Sequence, residues 1–298
     1  MTERSFVALG GRGLLAVTGE DRQQFLQGLI SNDVDKVSPT RAIHAALLTA
    51  QGKYLHDFFV VALEETLILD GEAARLADLQ RRLGLYRLRA KVTLGAAPGD
   101  LAVFTAFGDG AVAALGLPGE PGAARQFAGG VVFVDPRLAA LGARLIAPRE
   151  TTAAALRAAG FAEADFAAYD RLRLAQGVPD GSRDLPVEKA ILLEAGFDEL
   201  NGVDWQKGCY VGQELTARTK YRGLIKKRLM PVRVEGALPA PGTPVTLDGQ
   251  EAGEMRSGED GIALALLRLD ALAAAESGAT LTAGTARIRP IKPGWARF

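Results

Sequence analysis

The residue with the most distinctive chemistry is Cys209, the single cysteine among 298 residues. It lies in the run KGCYVGQE, residues 207–214. One thiol cannot form an internal disulfide, and one thiolate cannot complete a metal site. Chemistry at Cys209 would be that of a lone thiolate, or of a metal ligand shared with another molecule. The alternative is a small buried hydrophobic side chain, which many free cysteines are.

The residues around Cys209 are compatible with a reactive thiol. Lys207 is a cation two positions away, and a nearby cation lowers the pKa of a thiol. Gly208 and Gly212 carry no side chains, so another backbone or a ligand can come close. For Lys207 the alternative is a solvated surface position. For Tyr210, stacking on a planar ligand competes with a half-buried place in the core.

The residues that follow predict the start of a helix. Gln213 and Glu214 lie where a helix into the run LTAR would begin, so their side chains are expected to orient the loop through backbone N–H groups. Arg218 lies four residues after Glu214, a spacing that suits an ion pair on one helix face as well as anion binding. The basic run at 220–228 suits an acidic partner, a carboxylate tail or RNA phosphates, with a solvated loop as the alternative.

Hydrophobic periodicity predicts two α+β lobes and a β-barrel. The first lobe reads as a hairpin over 6–17, a helix with a Thr18–Asp21 capping box, strands near 45–50, 54–61 and 66–69, and a helix near 72–83. Residues 87–94 fit a strand or extended segment. Strands near 101–107, 131–134 and 143–147, a loop at 116–129 and a helix from Thr151 to Gly160 form the second lobe. A helix near 163–176 and a long loop to about 200 follow.

The C-terminal part of the chain has a different pattern. After residue 228, short alternating segments recur between Gly and Pro turns, which indicates a small β-barrel. The predicted domains are therefore residues 1–228, with two α+β lobes that divide near 95, and residues 229–298.

Composition excludes several classes of function. The 35 basic residues balance 35 acidic ones, so no global field favours nucleic acid or anionic lipid. The apolar runs are too short to cross a bilayer. The first residues show no basic segment followed by an apolar one, as a secretory signal would. A single cysteine suits a reducing compartment, and the sequence predicts a cytoplasmic protein.

The block at 171–232, which contains KGCYVGQE, ELTAR, NGV and DLP, closely resembles the YgfZ type of folate-binding protein. Within that family it is most similar to the mitochondrial iron–sulfur cluster assembly factor branch. The resemblance extends to FLQGLISNDV at 25–34, AALLTAQGKYLHDFFV at 45–60 and YRLRAKV at 86–92. It therefore covers essentially the whole chain.

The resemblance implies a fold and a role. The fold is that of the tetrahydrofolate-dependent aminomethyltransferase of the glycine cleavage system, a ring of α+β lobes with a C-terminal β-barrel and folate in the central opening. The role is maturation or repair of iron–sulfur enzymes, including [4Fe–4S] and radical-SAM proteins. The family thiol corresponds to Cys209 and its lysine to Lys207. The Gly-Gln-Glu element corresponds to 212–214, and the downstream arginine to Arg218.

Two positions depart from the aminomethyltransferase pattern. The adjacent Asp pair of those enzymes is His56-Asp57 here, and their folate-binding Glu aligns with Ala175, whose methyl group cannot accept a hydrogen bond. Asp57 remains a candidate polar group in the central opening, and His56 suits an ordinary strand position. The sequence thus predicts tetrahydrofolate binding in the cleft between the α+β lobes and near residues 184–214, without aminomethyl transfer. The candidate folate-binding residues are Lys207, Tyr210, Gln213, Glu214, Arg218 and Asp57.

Ligand counting predicts how an iron–sulfur cluster would be held. A [2Fe–2S] cluster takes four ligands, mostly thiolates. The chain has one cysteine and two histidines, and His44 and His56 are far from Cys209 in sequence. A cluster bridged to an A-type carrier protein is therefore the prediction, with Cys209 as this chain's ligand. The function predicted is an assembly factor that serves iron–sulfur client enzymes. A one-carbon transferase and a tRNA-modification accessory protein are the alternatives.

Overall fold

The computed structural model describes residues 3–297, and these form two compact units. The first unit contains the described residues up to Leu48 together with Leu55–Tyr169 and Asn201–Val211. The second contains Thr49–Tyr54, Asp170–Leu200 and the described residues from Gly212 onward. Residues 1, 2 and 298, which belong to the outer ends of the predicted domains, lie outside the described part. The predicted boundary near 228 remains a prediction.

The strands of the first unit form two sheets. In chain order they are β1 (Ser5–Ala8), β2 (Arg12–Thr18), β3 (Ile43–Leu48), β4 (Tyr54–Leu63), β5 (Thr66–Glu72), β6 (Thr93–Ala96), β7 (Leu101–Phe107), β8 (Ala124–Phe127), β9 (Gly130–Val134), β10 (Ala143–Pro148) and β11 (Ala162–Glu163). One sheet has the order β3-β4-β5-β2-β6, and the other has the order β11-β1-β7-β10-β9-β8. These are the two α+β lobes that the sequence predicted.

Short helices accompany the sheets. They are α1 (Arg22–Gln27), α2 (Leu76–Gly84), α3 (Ala111–Ala114), α4 (Arg149–Ala158) and α5 (Phe166–Ala175), the last of which runs on into the second unit. The two lobes also share buried contacts. Arg144 on β10 donates to Asp70 on β5 at 2.7 Å, and the rings of Phe59 and Phe133 lie 6.1 Å apart. The lobes therefore contact each other through buried side chains within one compact unit.

The hairpin predicted over 6–17 is wrong. Its two strands exist, but β1 pairs with β7 and β11 while β2 pairs with β5 and β6, so each belongs to a different lobe. Alternating apolar residues and a glycine turn identify strands without naming their partners. The Gly10–Gly11 segment connects the two sheets.

Three smaller predictions also need correction. Thr18 ends β2 and does not cap α1; Asp21 holds the N-cap position, and its carboxylate accepts from the Lys91 N–H at 2.7 Å. The strand at 87–94 begins only at Thr93, because Leu88 has a positive φ of 42° that interrupts an extended segment. The segment at 116–129 includes β8, which pairs with β9.

The second unit contains the predicted β-barrel. Its further helices are α6 (Gly181–Asp184), α7 (Gln213–Tyr221) and α8 (Leu269–Glu276). The closed barrel has the order β12-β15-β14-β13-β16-β17, formed by β12 (Lys227–Glu235), β13 (Pro244–Leu247), β14 (Gln250–Glu259), β15 (Ile262–Arg268), β16 (Leu281–Ala283) and β17 (Ala286–Pro290). Its interior is filled by Val232, Met255, Leu267 and Leu281, all buried.

A buried ionic network joins α5, α6 and β14 within the second unit. Arg173 donates to Asp170 at 2.7 Å, to Asp184 at 2.6 Å and to Ser257 Oγ at 2.7 Å. The network fixes the start of the segment that the sequence predicted to be a long loop. None of the helices between residues 3 and 297 is long and apolar enough to cross a membrane.

Candidate functional site

Cys209 is exposed at the tip of a loop whose base is anchored (Asp204–Val211, here the Cys209 loop). Asp204 Oδ1 accepts from the N–H groups of Gln206 at 2.7 Å and Lys207 at 3.0 Å. At the other end, the Val211 N–H donates to Gly28 O at 3.1 Å. Burial alone would raise the pKa of Asp204, but these bonds and its ion pair with Lys36 hold that pKa below the usual range.

Lys207 anchors the loop to the backbone of residues 27–32. Its Nζ donates to Gln27 O at 2.8 Å, to Ile30 O at 2.7 Å and to Asn32 O at 2.8 Å, and it lies 5.2 Å from the centroid of the buried Tyr210 ring. An ammonium group has three donors, and all three are used. Burial lowers the pKa of Lys207 to about 8, so the amine carries its proton at neutral pH. Lys207 and Tyr210 are thus engaged with the protein.

The thiol itself has open surroundings. Gly208 is exposed, and a Cβ placed on it would meet no atom within 4 Å. Glycine at position 208 therefore leaves space beside Cys209, as the sequence indicated. Gly212, with a φ of 81°, is the N-cap of α7 and belongs to the second unit.

The three predicted residues on α7 lie on its first two turns. The helix begins at Gln213 as predicted, directly after Gly212 at the N-cap. Glu214 and Arg218 form the predicted i,i+4 ion pair at 3.7 Å, and the Glu214 side chain is 88% exposed. An exposed pair of this kind contributes little to stability. Both side chains remain available to a ligand.

Asp57 is buried and already has a partner. Its Oδ2 lies 3.0 Å from His44 Nε2, and burial lowers the pKa of His44 despite that bond. The neighbouring His56 lies 2.9 Å from Asp78 Oδ2. Ala175 lies at the exposed end of α5. Sequence reasoning missed the His44–Asp57 pair, although the two positions are on the adjacent strands β3 and β4.

A polar cavity of about 330 Å³ lies in the first unit, next to the base of the Cys209 loop. Lys36 and Asp204 form one ion pair at its lining, and Arg41 Nη1 and Glu120 Oε1 form another at 2.8 Å. Residues of both lobes and of the segment at 201–204 line it. Asn32 fixes one wall, since its Nδ2 donates to the carbonyls of His44 at 2.7 Å and Asn201 at 2.8 Å.

The described residues hold no group of three or more His, Cys, Asp or Glu side chains that could bind a metal ion.

Comparison with known proteins identifies the family. Residues 226–298 match the model for the CAF17 C-terminal beta-barrel domain. The human iron–sulfur cluster assembly factor IBA57, mitochondrial, is 38% identical over 284 residues, which cover 87% of this chain and 76% of the human protein. The mouse protein of the same name is 34% identical over 309 residues, covering 96% and 84%. This chain belongs to the IBA57 family of iron–sulfur cluster assembly factors.

One solved structure with a similar fold is that of an enzyme. The glycine cleavage system aminomethyltransferase T from Bartonella henselae matches with a TM-score of 0.77 over 99% of this chain and 86% of that one, at 16% identity. At that identity the likeness shows the fold alone. The predicted fold class, an aminomethyltransferase-like α+β fold with a C-terminal β-barrel, is confirmed.

Membership of the IBA57 family also corrects one prediction. The human and mouse relatives are both named mitochondrial, so the predicted cytoplasmic location is wrong. The composition suited any reducing compartment, and a single cysteine does not distinguish the mitochondrial matrix from the cytoplasm.

Proposed function

We propose that this IBA57-family protein works through the Cys209 thiolate, which completes a [2Fe–2S] cluster shared with an A-type carrier protein. The cluster is cargo, destined for [4Fe–4S] and radical-SAM client enzymes. The observation that carries this proposal is an exposed thiol on a loop with an anchored base. A soft thiolate presented at a fixed position is the ligand type that iron–sulfur clusters use.

The anchored loop holds the thiol at a fixed position, which lowers the entropy cost of binding. Lys207, Asp204 and the Val211 N–H hold the backbone on both sides of Cys209. A fixed loop loses less conformational entropy when its side chain binds a partner-held cluster. The open space at Gly208 leaves room for the partner's backbone. In such a shared site, this chain would supply one thiolate and the carrier would supply the remaining ligands.

We also propose that reduced folate binds the polar cavity between the two lobes. Its support is the sequence resemblance to folate-binding proteins, together with a lining that offers charged groups of both signs. The residues first considered for folate fit less well, because Asp57, Lys207 and Tyr210 have protein partners and position 175 is an exposed alanine. Gln213, Glu214 and Arg218 remain candidates on α7. No chemical step is assigned to folate.

The cluster proposal is tested by visible absorption. Purified alone, the protein should be nearly colourless. Mixed with an A-type carrier, iron and sulfide, it should form a complex with thiolate-to-iron charge-transfer bands. Cys209→Ser should abolish those bands while leaving the free energy of unfolding within about 0.5 kcal/mol, because the side chain is exposed.

Gly208→Ala is the matched control. It alters the adjacent position in open space and should retain the shared cluster. An undiminished cluster in the Cys209→Ser complex would refute the thiolate role, as would a stoichiometric, oxygen-stable cluster on the isolated protein.

The folate proposal is tested by titration calorimetry with 5-formyltetrahydrofolate. Arg41→Gln removes a cation from the lining of the polar cavity and should weaken binding, whereas Arg22→Gln, on α1 outside that lining, should not. No heat with the unmodified protein, or equal loss in both variants, would reject this site. Transfer of a labelled aminomethyl group from a carrier protein would overturn the absence of turnover.

A further inference from the structure

A second cavity, of about 320 Å³, lies entirely within the second unit, and we call it the barrel-side cavity. The segment at 184–195 and the barrel strands β12, β14 and β15 supply most of its lining. Its volume is at the lower end of the range for small-molecule sites, roughly 300–1,000 Å³. Neither Cys209 nor any residue of its loop lines it.

The cations of this cavity outnumber its free carboxylates. Lys53, Lys189, Lys227 and Arg256 line it, and the first three ammonium groups make no hydrogen bond or ion pair with any of residues 3–297. Of its carboxylates, Asp184 is bound by Arg173 and Ser257, and Glu254 pairs with Arg256. Three lysines therefore face one remaining carboxylate, that of Glu194.

Arg256 is the most buried cation of the lining. The residue is 7% exposed, and its Nε is inaccessible to solvent and has no hydrogen-bond partner in the part of the chain that the structure describes. Buried N–H groups of native proteins are nearly always paired, with protein, with water or with a ligand. The Arg256 Nε is inaccessible to solvent, so its partner is not a ligand held in this cavity, and Nη1 is already paired with Glu254; the positive charge open to an anion is that of the three lysines.

The remaining walls are apolar. Leu185, Ile191, Leu229 and Leu266 contribute hydrocarbon surface to the same cavity. A bare inorganic ion would leave these side chains without contacts. The combination suits a ligand with negative groups at one end and a carbon skeleton at the other.

We propose that the barrel-side cavity binds a small organic anion with at least two carboxylates, held by Lys53, Lys189 and Lys227. This site goes beyond the shared-cluster function and does not depend on Cys209. Two sources share the required chemistry, a free tricarboxylate and the γ-glutamate tail of a larger molecule.

The test is titration calorimetry with two probes, citrate and tri-γ-glutamate, against the full-length protein. Lys227→Gln should weaken binding of the preferred probe about tenfold, the effect of one charge-assisted contact worth about 1.4 kcal/mol. Lys226→Gln is the matched control, because it removes the same charge from the adjacent exposed position that does not line the cavity. The Lys53→Gln/Lys189→Gln double variant should lose more.

The two probes separate the sources. Binding of citrate supports a free tricarboxylate, and binding of tri-γ-glutamate alone supports a tail. Heat from neither probe, or equal weakening by Lys226→Gln and Lys227→Gln, overturns the proposal. The Lys227→Gln variant should still form the shared cluster with the carrier. The anion-binding proposal and the Cys209 proposal can therefore fail independently.

Discussion

The Cys209 loop and the barrel-side cavity differ in the hydrogen bonding of their lysines. Lys207 lies next to the thiol in sequence, yet all three of its N–H donors bind backbone carbonyls. Lys53, Lys189 and Lys227 lie far apart in sequence, and their ammonium groups have no hydrogen bond or ion pair within residues 3–297. The sequence suggested that Lys207 lowers the pKa of the thiol or binds the glutamate tail of a folate, but in the structure its donors bind the backbone of the first unit.

The comparison shows what distinguishes a structural cation from one available to a ligand. A lysine whose donors are satisfied fixes the backbone and has none left for a new anion. A lysine with no protein acceptor keeps its donors for solvent or a ligand. The state of its hydrogen bonds, which sequence spacing does not reveal, decides between the two.

Among the substitutions considered, removal of the Lys207 ammonium group should lower the free energy of unfolding most. Lys207→Met keeps the length of the side chain but leaves the carbonyls of Gln27, Ile30 and Asn32 without their donor. We expect the free energy of unfolding to fall by about 2–4 kcal/mol, since half-buried acceptors lose bonds to a charged group. Urea denaturation monitored by circular dichroism measures this loss.

Lys227→Met is the control for that substitution. It should change the free energy of unfolding by no more than about 0.5 kcal/mol, because its ammonium group makes no hydrogen bond or ion pair with the described residues. If Lys207→Met costs no more than Lys227→Met, the contrast between the two regions is wrong.

Alanine substitutions at Gly52 and Gly208 should likewise differ in their effect on stability. Gly52 has a φ of 80°, and a Cβ on it would lie 2.6 Å from Gly212 O and 2.6 Å from Leu215 Cβ at the start of α7. We expect Gly52→Ala to cost about 2 kcal/mol through backbone strain and displacement of the helix. Thermal denaturation detects this loss as a lower Tm.

Gly208→Ala serves as the partner experiment, since the added methyl group meets no atom within 4 Å. An unchanged Tm is expected. A drop as large as that of Gly52→Ala would mean that the tip of the Cys209 loop is packed and not open.

The sequence predicted the elements of this fold better than their connections. Alternation identified β1 and β2, but a strand's own pattern does not state which strand it pairs with, so the hairpin was wrong. The barrel was predictable because its short strands recur between turns. The capping box failed because Thr18 completes a strand that pairs with β5 and β6.

Candidate sites could be identified from the sequence only where the chemistry is local. Cys209 stood out as a single thiol among glycines, and the Glu214–Arg218 pair followed from helical spacing. The barrel-side cavity did not, because its cations at positions 53, 189, 227 and 256 meet only after the chain folds.

The smallest expected effect concerns Glu194, the carboxylate left over in the barrel-side cavity. Burial raises its pKa, and Lys227 and Lys53 only partly oppose this. Its folded pKa therefore exceeds the unfolded value of 4.5, so its stabilising contribution is present below that pH and is lost as pH rises through the folded pKa. Glu194→Gln should remove this dependence, with a change below about 1 kcal/mol because the group is only half-buried.

The measurement is the difference in the free energy of unfolding between the unmodified protein and Glu194→Gln, taken at several values from about pH 4 to pH 8. Subtraction cancels the acid sensitivity of carboxylates such as Asp78 and Asp204, whose pKa values are lowered. The variant should gain relative stability as pH rises, because the neutral amide at position 194 never bears the cost of a buried charge. A bound dicarboxylate should enlarge that gain, since ionised Glu194 repels it. A flat difference curve, with or without citrate, would show that the Glu194 carboxyl is as well solvated as any surface glutamate.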